Sequence, residues 1–313
     1  MAIRHIGLIV LHLDAYVNPF LKWPGGKRWL ARRLAPAVAS VIGGRYIEPF
    51  LGGGALFFRL APNSAILSDL NSSLINTYEQ VRDNPDRLVA LLKAMPVTKS
   101  FYYRVRARVP NTAIEQASRF LYLNRTGYRG LYRVNGRGRC NVPFGGGERT
   151  PNILWERDLV GGASKRLKMN VSLFACDFEY AVNMAGFGDL VYCDPTYISS
   201  TAGGNFGRYN SSRFEWSDQV RLSEVCRAAT ERGAAVIVSN ALYPEIRELY
   251  RFCDIVEVHR PSPLSWKGVS RASVREGVYL FRNRVSDEIR YRLLNPKAFE
   301  TDSAGQLCFN LSE

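Results

Sequence analysis

Residues 45–69 read RYIEPFLGGGALFFRLAPNSAILSD, and this stretch decides the fold. RYIEPF predicts a short strand that runs into a glycine turn, GALFFRLA predicts the first turns of a helix, and SAILSDL predicts a second strand. Glycines after a strand let a ligand approach the backbone closely, and the next helix presents free N–H groups. A tight turn without a ligand is the alternative, because the stretch lacks the GxGxxG spacing of dinucleotide binders.

The rest of the chain continues the alternation of strands and helices. NSSLINTYEQV (71–81) predicts a helix capped by Asn71 or Ser72, and SDQVRLSEVCRAATERG (217–233) predicts an amphipathic helix that ends at Gly233. The apolar runs GDLVYCDP and AAVIVSN predict buried parallel strands, while DIVEVHR and GVYLFRN predict late strands of an antiparallel edge. This pattern predicts an open α/β sheet that binds ligands at the carboxyl ends of its strands.

Composition and charge point to a folded protein that meets a polyanion. The chain has 313 residues, of which 46% are hydrophobic, and it carries a formal net charge of +14. That apolar content excludes a disordered chain. The positive charge favours nucleic acid as partner over an anionic membrane. No stretch approaches the roughly 20 apolar residues of a membrane helix.

Two further features bear on location and cofactors. The opening MAIRHIGLIVLHLDA lacks the pattern of a signal peptide, so we expect it to form an extra strand or a frayed extension. The six cysteines are scattered without a CxxC pair, and only three histidines accompany them. These counts predict reduced thiols in a cytoplasmic protein, with no metal site and no disulfide framework.

The positive charge is concentrated in one segment. Between Lys99 and Lys168 there are fifteen basic and four acidic residues, so this segment holds an excess of 11 out of the total of +14. Such segregation predicts two modules, one of which carries the surface for the polyanion. Within it, NRTGYRGLYRVNGRGRCNVPFG (124–145) predicts a hairpin or loop whose arginines lie beside tyrosines. Arginine binds guanine edges or phosphates, and tyrosine can wedge between bases. For most of the individual arginines a solvated basic face is the simpler interpretation.

Two carboxylates follow predicted strands. Asp69 is placed where a carboxylate accepts hydrogen bonds from ribose hydroxyls, although a helix N-cap is the simpler role and the two can coexist. Asp194 opens the tetrapeptide DPTY, which puts a carboxylate, the Pro195 carbonyl and the Tyr197 ring at one strand end. The carboxylate and carbonyl could accept hydrogen bonds from the amino group of a planar base stacked on Tyr197. A plain turn is the alternative.

Taken together, these motifs resemble the α group of the Dam-type (D12 class) DNA adenine-N6 methyltransferases. The order and spacing of FLKWPGGK (20–27), YIEPFLGGGALF, LSDLN, FLYLNRTGYRGLYRVNGRGRCNVPFG, VYCDPTY and VIVSN match that family over residues 20–282. The resemblance implies a Rossmann-like S-adenosylmethionine-dependent methyltransferase sheet in residues 1–80 and 166–313. It also implies an inserted, mainly helical DNA-recognition domain with a β-hairpin in residues 81–165.

The resemblance also implies roles for individual residues. The cofactor S-adenosylmethionine would be surrounded by Trp23, Lys27, Glu48, Phe50, Gly52, Gly54, Asp69, Asp177, Phe178 and Asp194. Asp177 would accept a hydrogen bond from the adenine amino group of the cofactor, with Phe178 beside the adenine ring. Asp194, Pro195 and Tyr197 would hold the target adenine after it is flipped out of double-stranded DNA. Recognition or wedging of the site would fall to Lys22, Tyr128, Arg129, Leu131, Arg133, Asn141 and Pro143, with Arg133 as the candidate for bidentate guanine recognition.

The sequence departs from the family at two positions. Thr196 replaces the second proline of the usual DPPY motif, which removes a restraint on the Pro195 backbone and adds an N–H donor. Arg129 stands where the commonest members carry Asn, so it could add a phosphate contact or alter base preference. We therefore expect transfer of a methyl group to the N6 amino group of adenine, in GATC or a related site, without a metal or an obligate protein partner. The alternatives are a DNA-binding homologue with impaired catalysis and a cytosine-N4 methyltransferase.

Overall fold

The computed structural model describes residues 16–39, 42–136, 138–146, 158–198, 214–260 and 274–295. The opening segment that we expect to form an extra strand or a frayed extension lies outside these ranges. No helix in the described ranges is long and apolar enough to span a membrane.

A seven-stranded sheet forms the centre of the protein, in the order β3-β2-β1-β4-β5-β7-β6. Its strands are β1 (Tyr46–Glu48), β2 (Ala65–Asp69), β3 (Val171–Ala175), β4 (Leu190–Cys193), β5 (Ala235–Ala241), β6 (Cys253–Arg260) and β7 (Val274–Phe281). The first five are mutually parallel, and β7 pairs antiparallel with both β5 and β6. The predicted open α/β sheet with a late antiparallel edge is therefore confirmed.

Helices cover both faces of the sheet. They are α1 (Arg28–Ala39), α2 (Ala55–Leu60), α3 (Ser72–Asp83), α4 (Pro85–Lys93), α5 (Lys99–Ala107), α6 (Ala113–Thr126), α7 (Leu159–Leu167), α8 (Phe178–Asn183), α9 (Trp216–Glu231), α10 (Pro244–Leu249) and α11 (Arg284–Leu294). Asn71 caps α3, because its side-chain oxygen accepts hydrogen bonds from the N–H groups of Ser73 and Leu74. Gly233, with a φ of 93°, follows the end of α9 and has the conformation that favours glycine there.

The core has two layers, one on each face of the sheet. In β4, Leu190 and Tyr192 belong to the layer with α1, α2, α3 and α6, whereas Val191 and Cys193 belong to the layer with α8 and α9. This alternation explains why LVYC is apolar throughout, since both of its faces are buried. The first layer continues without a break into α5 and α6, because Tyr102 and Phe120 are members of it.

The predicted hairpin after α6 is a loose antiparallel reversal. Isolated bridges join Gly127 to Phe144 and Val134 to Cys140. The N–H of Tyr128 also donates to the carbonyl of Pro143 over 2.9 Å. A regular ladder does not form here, because Gly130, with a φ of 66°, belongs to a turn that interrupts the extended backbone.

Candidate active site

The order of the strands brings three acidic residues to one edge of the sheet. Parallel β1 and β4 are neighbours, and the chain reverses its direction of winding between them. In such sheets ligands bind in the crevice at the carboxyl ends of the strands at this switch point. Glu48 ends β1, Asp69 ends β2, and Asp194 directly follows β4. The topology therefore places Glu48, Asp69 and Asp194 at the strand ends where the sequence predicts that ligands bind.

The glycine turn after β1 is shaped by left-handed backbone conformations. Gly52 and Gly54 have φ values of 46° and 62°, which side chains disfavour. The Gly52 N–H donates to Asp69 Oδ2 over 3.0 Å, and the N–H of Asn71 donates to Oδ1 over the same distance. Burial raises the pKa of Asp69, and these two hydrogen bonds oppose the increase. A Cβ on Gly52 would lie 2.7 Å from Cδ1 of Trp23, so the Trp23 ring rests on this turn.

Glu48 is buried with little compensation for its charge. Only 3% of the residue is exposed, and the hydroxyl of Tyr46 donates to its Oε2 over 3.0 Å. Burial raises the pKa of Glu48 well above the ordinary value. A carboxylate desolvated in this way favours a cationic or hydrogen-bonding ligand at the end of β1.

An aromatic cluster lies beside the switch point. The ring of Phe50 stacks on Phe178 with centroids 5.4 Å apart, and Phe214 contacts both rings edge-on. Asp177 caps α8 by accepting a hydrogen bond from the N–H of Glu179. The Arg221 guanidinium donates to both oxygens of Asp177, over 2.7 and 2.9 Å. It also lies 4.2 Å above the Phe178 ring.

This pairing affects the charge of Asp177. Partial burial raises its pKa, but the hydrogen bonds from Arg221 and from the Glu179 N–H outweigh burial, so the pKa of Asp177 is lowered overall. Asp177 therefore stays ionised and acts only as an acceptor. Sequence reasoning did not identify Arg221, whose side chain reaches Asp177 from α9, 44 positions later in the chain.

Asp194 is held through one of its two oxygens. Its Oδ1 accepts a hydrogen bond from Ser239 over 2.8 Å, and the Tyr197 hydroxyl lies 3.5 Å from the same atom. Lys27 Nζ lies 3.4 Å from the same atom. No side chain or N–H in the described ranges donates a hydrogen bond to Oδ2. Burial raises the pKa of Asp194, Lys27 and Ser239 oppose that increase, and the charge of Glu276 adds to it.

Two residues of this centre were missed by the sequence analysis. Ser239 lies on β5 and Glu276 on β7, and both are buried. Glu276 Oε2 lies 3.2 Å from Lys27 Nζ and accepts a hydrogen bond from the Tyr197 hydroxyl over 3.1 Å. The Lys27 ammonium also sits 4.3 Å from the centroid of the Tyr197 ring. Lys27, expected near the cofactor, is therefore part of the acidic centre around Asp194.

The loop after α6 is anchored beside the glycine turn. The buried Asn124 side chain accepts a hydrogen bond from the Lys22 N–H over 3.0 Å and donates to the carbonyls of Lys22 and Gly130. A Cβ on Gly130 would lie 2.5 Å from Cβ of Lys22, so this contact requires glycine. Tyr132 stacks on Trp23 at 5.8 Å, and it packs on Phe120 at 4.6 Å. An aromatic stack therefore joins the loop to the turn that Trp23 covers.

The loop residues expected to contact DNA lie mostly toward solvent. Tyr128 and Arg129 are exposed, with the Arg129 guanidinium 5.3 Å from the Tyr128 ring centroid. Arg129 has a φ of 54°, a left-handed conformation that favours Asn or Gly. It lines a pocket of about 260 Å³ together with Lys22, Trp23 and Arg28.

Arg133 and Asn141 form one polar unit beside the turn that closes the hairpin. Arg133 Nε donates to Asn141 Oδ1 over 2.5 Å, and the N–H of Asn141 donates to the Arg133 carbonyl over 3.1 Å. Leu131 is half-buried and Pro143 is exposed on the same hairpin. The structure thus brings together all seven positions expected to contact DNA within or next to this loop.

Several arginines of the basic segment have structural roles. Arg106 donates to the carbonyl of Val142, Arg119 donates to the carbonyls of Val105 and Arg106, and Arg166 donates to the carbonyl of Ala61. Arg125 is 8% exposed. The excess of positive charge in this segment is therefore divided between main-chain contacts and solvent-facing side chains.

Within the described part of the chain there is no group of three or more His, Cys, Asp or Glu side chains arranged to hold a metal ion. The described cysteines are free thiols; among them Cys193 and Cys226 are buried, with Sγ atoms 3.9 Å apart. The strand order, with its switch point between β1 and β4, defines an open, Rossmann-like α/β sheet.

A family model described as D12 class N6 adenine-specific DNA methyltransferase matches residues 23–262. The chain therefore belongs to this family of DNA-modifying enzymes.

Curated relatives that align with this chain over most of their own length support this assignment. A type II methyltransferase of Lactococcus lactis subsp. cremoris is 36% identical over 272 residues, which cover 83% of this chain and 94% of the relative. A type II methyltransferase of Methanocaldococcus jannaschii is 32% identical, covering 84% of this chain and 97% of the relative. The DNA adenine methylase of Escherichia coli K12 is 33% identical, and the alignment covers 84% of this chain and 95% of the relative.

Proposed function

We propose that the protein transfers a methyl group from S-adenosylmethionine to the N6 amino group of an adenine flipped out of duplex DNA. GATC or a related sequence is the proposed site. The observation that carries the proposal is the hydrogen bonding of the Asp194 carboxylate at the switch point. Its Oδ1 is held by Ser239, Lys27 and Tyr197, and no described residue donates to Oδ2. An exocyclic amino group is a donor that suits this acceptor.

The residues present fit S-adenosylmethionine. Asp69 at the end of β2 offers a carboxylate for ribose hydroxyls, and its second role in holding the Gly52 N–H keeps the glycine turn in place. The Phe50 and Phe178 rings, with Asp177 beside them, suit an adenine ring and its amino group. Glu48, buried and acidic, suits the positive end of the cofactor. When bound, S-adenosylmethionine would supply the electrophilic methyl group.

The protein side of the mechanism is orientation and charge stabilisation. Asp194 Oδ2 and the Pro195 carbonyl would accept hydrogen bonds from the adenine amino group, and the Tyr197 ring would stack on the base. These contacts would direct the nitrogen lone pair and stabilise the positive charge that develops on the nitrogen. Asp194 does not need to act as a strong base, and no cysteine is needed as a nucleophile.

We propose that the loop after α6 recognises DNA. Tyr128 and Arg129 are exposed at its start, next to the end of α6, and Arg133 presents a guanidinium already oriented by Asn141. An oriented guanidinium suits bidentate contact with guanine. We propose that residues 1–80 and 166–313 form the catalytic part and residues 81–165 the recognition part. Helices α3 and α7 cross these two bounds, so the parts share continuous helices.

Nucleoside mass spectrometry of unmethylated plasmid DNA tests the proposal, after incubation with the purified protein and S-adenosylmethionine. N6-methyladenine is the expected product, and mapping of the modified positions tests GATC. N4-methylcytosine would instead overturn the choice of base. DNA without any modified base, at enzyme concentrations that bind both DNA and cofactor, would favour an impaired homologue and would direct attention to Thr196.

A further inference from the structure

Glu276 occupies a fixed place in the sheet. It lies on β7, and the register pairs it with Ala241 of β5 on one side and Val258 of β6 on the other. Because β7 is an interior strand at this point, both of its neighbours hold its backbone. Only 4% of Glu276 is exposed. The strand therefore delivers a carboxylate to the carboxyl end of β5, where an apolar residue would be the ordinary choice.

The contacts of Glu276 all belong to the centre around Asp194. Its Oε2 lies 3.2 Å from Lys27 Nζ and accepts a hydrogen bond from the Tyr197 hydroxyl over 3.1 Å. Removing two charged groups from water costs several kcal/mol per ion, so a buried acid and lysine add little to stability compared with a packed apolar pair. Folding alone does not explain this arrangement. Its geometry does serve Tyr197, the ring on which the proposed target base stacks.

We propose that Glu276 is a positioning residue for methyl transfer, which acts through Tyr197 and Lys27 and not by touching the substrate. The inference rests on the proposed function. Glu276 fixes the Tyr197 hydroxyl and with it the plane of the ring. It also shares the Lys27 ammonium with Asp194, so that Lys27 approaches Oδ1 and leaves Oδ2 for the adenine amino group. Without the Glu276 carboxylate, Lys27 has Asp194 as its remaining acidic partner in the centre.

Glu276→Gln is the first test, because the change removes the charge and keeps the size of the side chain. Glu257→Gln is the matched control: it lies on neighbouring β6, 31% of its side chain is exposed, and it pairs with Arg247 and Arg275 outside the centre. Single-turnover methylation is measured with saturating S-adenosylmethionine and DNA. We expect a rate loss of about 10- to 100-fold for Glu276→Gln, in the range that small errors of alignment produce, and wild-type rates for the control. The dissociation constants for cofactor and DNA should change less than about threefold.

The pH dependence of the same rate separates positioning from general damage. The groups that face Asp194 are Lys27, Glu276, Tyr197, Ser239, Tyr192 and Glu48. Glu276→Gln removes a like charge, so the acid limb of the rate profile should move to lower pH. Lys27→Met removes the cation, so the limb should move to higher pH. A packing defect would lower the rate in both variants, but it would not move the acid limb to lower pH in Glu276→Gln and to higher pH in Lys27→Met.

A wild-type rate in Glu276→Gln, or a loss explained entirely by weaker binding, would overturn the inference. Wild-type protein that makes no N6-methyladenine would overturn the proposed function as well, so the two failures are distinguishable. If Glu276→Gln unfolds, Tyr197→Phe removes the same hydrogen bond without altering β7. That variant should be slower by several-fold with its ring still in place, and full activity in it would also contradict the inference.

Discussion

Ser239 Oγ donates a 2.8 Å hydrogen bond to Asp194 Oδ1 and thereby joins the end of β5 to the end of β4. The Tyr192 hydroxyl lies 3.0 Å from the same Ser239 oxygen. Because a serine hydroxyl has a single proton, Tyr192 must be the donor in this second bond. A buried chain from Tyr192 through Ser239 to Asp194 therefore sets the rotation of the catalytic carboxylate in the proposed mechanism.

Ser239→Ala should slow methyl transfer about tenfold and destabilise the fold. The variant frees Asp194 Oδ1 to rotate, and it leaves the buried Tyr192 hydroxyl without its acceptor, which costs about 1–3 kcal/mol. Single-turnover rates and urea unfolding check the two effects. Tyr192→Phe is the control: it removes the Tyr192 hydroxyl and leaves the bond from Ser239 to Asp194, so its rate should stay closer to wild type. Equal rates for Ser239→Ala and wild type would contradict a role in orientation.

Asp194→Ala should abolish methylation while cofactor binding remains largely intact. The carboxylate is the acceptor proposed for the adenine amino group, and electrostatic stabilisers of this kind contribute about 10²- to 10³-fold or more to the rate. Product formation by mass spectrometry and cofactor affinity by calorimetry are the two measurements. Asp287→Ala, at an exposed position on α11, serves as control. Near-full turnover by Asp194→Ala would remove Asp194 from the mechanism.

The strand ends of this site could be predicted from the sequence, whereas the residues that support them could not. Glu48, Asp69 and Asp194 each follow a short apolar run, and parallel strands end at one edge of the sheet, so their proximity follows from local pattern. Ser239 lies inside the recognised run AAVIVSN, but its polar role depends on the side chain of Asp194, 45 positions earlier. Nothing local to the run indicates that partner.

Glu276 is harder to predict from the sequence than Ser239. Its strand enters the sheet antiparallel between β5 and β6, out of sequence order. The register of such a strand depends on packing across the whole sheet, and a slip by one residue would turn Glu276 to the other face. β3 also escaped prediction, since this edge strand has mixed burial and lacks the apolar run of β4.

Thr196→Pro should raise the methylation rate or leave it unchanged. Proline at this position restricts Pro195 to extended conformations and so helps to aim its carbonyl. The Thr196 side chain is exposed, and among described residues no hydrogen bond involves it, so the change breaks no side-chain hydrogen bond within these residues. Single-turnover rates of the two proteins decide the matter. A higher rate in the variant would show that Thr196 slows catalysis. A clearly lower rate would show that the threonine N–H contributes to the site.

Arg129→Asn should stabilise the protein and weaken its binding to DNA. Arg129 has a φ of 54°, and Asn tolerates this left-handed conformation better than Arg, so we expect a gain of about 0.5–1 kcal/mol in the free energy of unfolding. If Arg129 contacts a phosphate, the slope of log affinity against log salt should fall by about one. Arg139→Asn, exposed in the same loop without a positive φ, is the control for stability. An unchanged slope with altered site preference would assign Arg129 to base recognition instead.

Glu48→Gln should stabilise the protein in the absence of cofactor, and more so at high pH. Burial raises the pKa of Glu48 well above its ordinary value of 4.5, so the folded state holds this proton more tightly than the unfolded state. Stability contributed by the protonated form is complete below the unfolded pKa and is lost as pH rises toward the folded pKa. Glutamine mimics the protonated form at every pH and can still accept the hydrogen bond from Tyr46.

The advantage of Glu48→Gln over wild type should therefore be small at pH 5 and larger at pH 8, as measured by urea unfolding at both values. Cofactor affinity should fall in the same variant, because the buried carboxylate is proposed to face the positive end of S-adenosylmethionine. Stability gained together with affinity lost would mark Glu48 as a group retained for binding at the expense of folding. An advantage that is equal at both pH values would contradict a raised pKa in the folded state and would show that a partner stabilises the Glu48 carboxylate there.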